Sequence, residues 1–122
     1  MKRKQKTIQG TVRFKGVGLH TGEEVNVRIR GGRPDTGIVF ARVDLPGNPE
    51  IKICADNISS KMRRTCLEQD GVTIETIEHF LATVYALGID NLRVEMDRSE
   101  FPGMDGSARP IYEKLHEAEI VE

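Results

Sequence analysis

The chain has no tryptophan, two cysteines and three histidines among its 122 residues. Two cysteines exclude a disulfide framework. Cys54 and Cys66 also lack the paired Cys-x-x-Cys spacing of a structural zinc site, so they read as reduced, partly buried thiols. A surplus of one charge is missing too. Lys and Arg number 18 against 19 Asp and Glu, for a net charge of -1, which gives no support to a protein that coats nucleic acid. No apolar run approaches the ~20 residues of a helical membrane span. Met1 to Lys6 is basic, but a secretory signal would continue into an apolar stretch, whereas Thr7 to Lys15 alternates polar and apolar residues. The basic start reads as a solvated terminus, with a glancing contact on an anionic membrane surface as the alternative. A soluble, cytoplasmic protein is the expectation.

What is present suits one ordinary domain. An apolar share of 38% is modest but adequate for a single core in a chain of this length. Val12, Phe14, Val17 and Leu19, then Val25, Val27 and Ile29, recur with charged residues between them. With Thr21-Gly22 between the runs, this predicts a hairpin with one buried face. Further strands are expected at Gly37 to Val43, Ile51 to Ala55, Met62 to Leu67 and Val72 to Ile74. The period then changes. Ile77, Leu81, Val84 and Gly88 lie at helical spacing, with Thr76 as a fitting N-cap and Gly88 as a left-handed C-cap. A helix over Ile77 to Leu87 follows, then a strand through Ile89 to Met96. A second helix is expected after Ser107, with Ile111, Leu115 and Ala118 as its apolar stripe. The predicted fold is α+β: a two-layer sandwich, mostly antiparallel, with two helices on one face.

Glu78-His79 is the sharpest chemical feature. Adjacent helical residues point about 100° apart, so both can converge above a helix start. A neutral imidazole can hold a metal while the carboxylate takes a proton from water, the division of labour in metal-assisted hydrolysis. On spacing alone, a capping acid beside a half-buried histidine accounts for the pair as well. A mononuclear catalytic zinc centre takes three protein ligands. His116 reads as a solvated helix residue and His20 as a hairpin-tip residue, so the sequence predicts an incomplete metal site. Asp105, in Met104-Asp105-Gly106-Ser107-Ala108, offers a ligand contact or a brace for its loop. Arg63-Arg64 beside Thr65 offers a phosphate contact or a solvated pair of cations.

Four segments occur in a telling order: Gly16-Val17-Gly18-Leu19-His20-Thr21-Gly22, Thr76-Ile77-Glu78-His79, Leu87-Gly88-Ile89-Asp90-Asn91 and Met104-Asp105-Gly106-Ser107-Ala108. Together they resemble the UDP-3-O-acyl-N-acetylglucosamine deacetylase family of lipid A biosynthesis, over nearly the whole chain. The resemblance implies two similar α+β halves with the active site between them, of which residues 1–122 would be the amino-terminal one. It implies Zn2+ as cofactor, His79 as one of three zinc ligands and Glu78 as general base. It places His20 and Met62, Arg63, Arg64 and Thr65 near the cleft for the acylated UDP-sugar. The other ligands, a general acid and most of the acyl channel belong to the family's second half. The expectation is therefore an isolated domain, a truncated product or a natural half that meets a partner, inactive by itself. Alternatives are a non-catalytic binding or regulatory module of the same fold, and a homodimer that builds its site from two copies.

Overall fold

The computed structural model of the chain describes residues 5–18, 21–54, 57–61, 64–69, 71–102, 115 and 120–121. In chain order the elements are β1 (Thr7–Ile8), β2 (Thr11–Val17), β3 (Glu24–Gly31), β4 (Ile38–Arg42), β5 (Glu50–Lys52), β6 (Ile58–Lys61), β7 (Arg64–Gln69), β8 (Val72–Glu75), α1 (Glu78–Leu87), β9 (Leu92–Met96) and β10 (Ile120–Val121). Three sheets result: β2-β3-β9-β4-β5, β6-β7-β8 and the short pair β1-β10. Among the described residues, all pairings between these strands are antiparallel except β4 with β9, which run parallel.

The expected hairpin is β2 with β3. Val12 pairs with Ile29, Phe14 with Val27 and Gly16 with Val25, so the apolar positions of both strands share one face. That face continues through Val94 and Met96 of β9, Ile38 and Phe40 of β4 and Ile51 of β5, all buried. Helix α1 lies against it through Phe80, whose ring meets Phe40 edge-on at 5.3 Å. Phe101 completes the cluster, 5.3 Å from Phe80 and 5.9 Å from Phe14. Such ring pairs add about 0.5–1.5 kcal/mol each beyond the area they bury. The core also takes in Leu67 and Ile74 from the three-stranded sheet. The two cysteines form no disulfide; Cys54 is exposed and Cys66 buried.

The helix ends as the sequence predicts. Gly88 adopts φ 69°, its N–H donates to Tyr85 O at 3.1 Å, and the N–H of Ile89 donates to Val84 O at 3.0 Å. Its start departs from expectation. The N-cap is Ile77, with no side-chain cap, and not Thr76. The Thr76 hydroxyl donates to Glu100 Oε2 at 2.5 Å instead, because a buried carboxylate competes for it successfully. The second helix expected after Ser107 lies outside the described residues, except for Leu115, which is helical and buried. The described residues thus form a mixed α/β chain, strand-rich, with one helix longer than a turn. No helix among them is long and apolar enough to cross a membrane.

The motif around Asp90-Asn91 has a structural task. Asn91 is buried. Its Nδ2 donates to Gln5 Oε1 at 2.8 Å and its Oδ1 accepts the N–H of Gly37 at 2.9 Å. Asp90 Oδ2 accepts the N–H of Lys6 at 2.8 Å. These bonds stitch Gln5, Lys6 and the β3–β4 connection onto the end of α1, satisfying backbone groups that no strand pairs.

Candidate active site

Glu78 and His79 occupy the first turn of α1, both half-buried. The helix buries Phe80, Thr83 and Val84 and exposes Ala82, Tyr85 and Ala86. At about 100° per residue, Ala82 and Ala86 fall between the directions of Glu78 and His79, and Tyr85 lies about 20° beyond Glu78. The carboxylate and the imidazole therefore flank the open side of the helix at its amino-terminal end, and neither points into the core. The His79 carbonyl is held by the Thr83 hydroxyl at 2.9 Å, and Leu81 N–H donates to Ile77 O at 2.9 Å. The first turn is thus closed by its own bonds.

What aims this turn lies outside the helix. Thr76 has φ 63°, an uncommon conformation for a β-branched residue. Strand β8 ends one residue earlier in a parallel bridge to Glu100. Glu75 N–H donates to Ser99 O at 2.7 Å and Phe101 N–H to Glu75 O at 2.9 Å. Glu100 is only 1% exposed. Its Oε2 accepts the Thr76 hydroxyl, and its Oε1 accepts the N–H of Thr21 at 2.8 Å. Gly18 leaves room for this carboxylate: a Cβ there would overlap Glu100 Oε1 and stand 2.6 Å from Thr21 Oγ1. Sequence reasoning does not reach Glu100. Its one signal is an acid directly before Phe101-Pro102, two residues that bury.

The other expected site residues divide. His20, Met62, Arg63 and Asp105 lie outside the described residues, as does His116. Of Arg64 and Thr65 the backbone alone is described, in β7, paired with Lys61 and Ser60. Among the described residues, no three His, Cys, Asp or Glu side chains gather in a way that could hold a metal ion. A cavity of about 530 Å³ sits elsewhere, on the outer face of the five-stranded sheet, lined by Arg13, Lys15, Asn26, Arg28, Glu95 and Asp97 among others.

On that outer face Glu95 accepts hydrogen bonds from Arg28 Nε at 2.5 Å and Arg93 Nε at 3.2 Å. Burial alone would raise the Glu95 carboxyl, but Arg28 and Arg93 outweigh it and hold it below its ordinary value. The Arg28 bond ties β3 to β9, the Arg93 bond stays within β9, and both lie away from Glu78 and His79.

The family profile of UDP-3-O-acyl N-acetylglycosamine deacetylase, LpxC, matches residues 5–122. The UDP-3-O-acyl-N-acetylglucosamine deacetylase of Marinobacter nauticus is 45% identical over 119 residues, which cover 98% of this chain and 39% of that protein. The deacetylase of Alcanivorax borkumensis is 48% identical with the same coverage. A bifunctional LpxC/FabZ enzyme of Porphyromonas gingivalis is 40% identical, and 26% of it is covered. The chain belongs to the LpxC deacetylase family. It spans about two-fifths of the length of the deacetylases it matches.

Proposed function

We propose that this chain is part of a zinc-dependent amidohydrolase that removes the N-acetyl group from UDP-3-O-acyl-N-acetylglucosamine in lipid A biosynthesis. The observation that carries the reading is the pair Glu78 and His79, flanking the exposed Ala82 and Ala86 on α1, with the exposed Tyr85 beside Glu78. An imidazole is a good zinc ligand and an adjacent carboxylate a good proton acceptor. The donor set suits one corner of a zinc centre. The remaining ligands would come from the region that relatives carry outside the matched segment, docked over the open side of α1. Tyr85, 89% exposed, gives that docking a large apolar contact. The cytoplasm, where nucleotide sugars are made, is the setting this reading implies.

In this scheme His79 would hold the metal and Glu78 would take a proton from the attacking water. Bound zinc would supply Lewis acidity, polarising the amide carbonyl and easing that deprotonation. The amine that leaves as the C–N bond breaks needs a proton, and a general acid outside this chain would supply it. His20, Met62, Arg63, Arg64 and Thr65 are proposed to contact the substrate.

The test is zinc content. The chain is co-expressed with the region that its relatives carry outside the matched segment, and the complex is purified with and without His79→Ala. The native complex should bind one zinc per site and release acetate from the UDP-sugar. His79→Ala should lose most of the zinc. Stoichiometric zinc in the His79→Ala complex would remove His79 from the ligand set.

A further inference from the structure

We propose that Glu100 is a positioning residue for the Glu78–His79 pair: its buried carboxylate ties the β2–β3 hairpin tip to the start of α1 and so sets where the pair points. The proposal rests on the reading of Glu78 and His79 as base and ligand. It goes further by naming the group that aims them.

Three observations converge. First, both carboxylate oxygens bridge elements that are far apart in sequence. Oε1 accepts Thr21 N–H at 2.8 Å and Oε2 accepts the Thr76 hydroxyl at 2.5 Å. Thr21 follows His20 in the chain, and Thr76 stands three residues before His79. Second, Thr76 is held at φ 63°. A β-branched residue keeps such a conformation only where its surroundings over-determine it, and here the hydroxyl bond does so within one turn of the pair. Third, Glu100 is itself fixed. Backbone bonds of Ser99 and Phe101 to Glu75 lie on either side of it, and the Phe101 ring is locked among Phe14, Phe40 and Phe80. Gly18 provides the space that its carboxylate fills.

Stability alone does not call for this arrangement. An apolar contact at the same place would avoid the desolvation cost of a buried carboxylate. What hydrogen bonds add is direction. Each fixes one atom of a functional segment relative to one oxygen, and catalysis is sensitive to misplacement on the scale of an ångström. Glu100 acts through Thr76 and Thr21 and does not itself contact the reacting atoms in this scheme.

The test uses the complex of this chain with the region its relatives carry outside the matched segment. Five variants are compared for kcat, KM, zinc content and Tm: Glu100→Ala, Glu100→Gln, Thr76→Val, Glu78→Gln and Ile51→Val. Thr76→Val deletes one bond at nearly constant shape, and so serves if Glu100→Ala does not fold. Ile51→Val is a buried truncation in β5, remote from the clamp, and controls for lost stability. Glu100→Ala and Thr76→Val should lower kcat by about 10- to 100-fold at full zinc occupancy with little change in KM. Glu100→Gln, whose amide can still accept from Thr21 and donate to Thr76, should recover most of that loss. A kcat loss in Glu100→Ala and Thr76→Val no larger than that of Ile51→Val overturns the proposal. So does a Glu100→Gln enzyme as slow as Glu100→Ala. Glu78→Gln reports separately on the underlying reading: if that variant stays active, the assignment of the base fails whatever Glu100 does.

Discussion

Arg42 grips Asp44 with two parallel hydrogen bonds, Nε to Oδ1 at 2.9 Å and Nη2 to Oδ2 at 2.7 Å. The third arm, Nη1, donates to Thr73 O at 3.0 Å. Arg42 is buried, at the end of β4, and Thr73 lies in β8. The guanidinium therefore joins the five-stranded sheet to the three-stranded one and leads, through β8, to the start of α1.

The Arg42 hydrogen bonds hold the Asp44 carboxyl below its ordinary value of 3.8, against a smaller opposing effect of burial. A carboxyl with a depressed native pKa adds stability above its unfolded pKa, and that stability drains away as pH falls through the native value. Asp44→Asn should therefore lower the urea midpoint by an amount equivalent to about 1 kcal/mol or less at pH 7, because solvent screens the exposed carboxylate. The difference from the native protein should be constant near neutrality and shrink below about pH 4. A difference that persists unchanged to pH 2.5 would show that the pair acts by shape and not by charge.

Glu95 is the common counter-ion of Arg28, Arg30 and Arg93 on the outer sheet face. Removing its charge leaves three guanidinium groups on adjacent strands. The arginines are partly exposed, so solvent screening limits the cost. Glu95→Gln should destabilise by about 1 kcal/mol at low ionic strength. Molar salt should remove most of that loss, since the screening length falls to about 3 Å. Denaturant titrations at two salt concentrations check both statements.

Gly88 ends α1 at φ 69°, and a Cβ built there meets nothing within 4 Å. The cost of a side chain is then conformational and not steric. Gly88→Ala should lose about 1 kcal/mol, and Gly88→Asn less, because asparagine tolerates the left-handed region better. Equal losses for the two would point to an unseen clash.

Local pattern carried much of this fold. Alternation in β2 and β3 reveals both the hairpin and its buried face, since Val12, Phe14, Val25, Val27 and Ile29 repeat at spacing two. The change to helical period locates α1 within a residue, and Gly88 marks its end. Long-range partners are not legible in this way. β1 and β10 have two residues each, too few to show a period, and pair from opposite ends of the chain. Ile58–Lys61 forms β6 with one apolar residue among its four. The parallel match of β4 with β9 joins segments separated by five other elements. Thr76 is the clearest miss of this kind. Its sequence context suggests a cap, while a carboxylate 24 residues away takes its hydroxyl. At the site, Glu78-His79 is visible as an adjacent acid and imidazole at a helix start. Glu100 is not, because its role exists only once β8, the hairpin tip and Phe101 have come together.

Glu78 is proposed as the base. The most direct measurement is acetate release from UDP-3-O-acyl-N-acetylglucosamine by the reconstituted complex, native against Glu78→Gln, at equal zinc occupancy. Zinc content should be unchanged and kcat lower by roughly 10²- to 10⁴-fold in the variant. Undiminished acetate release from Glu78→Gln would contradict it.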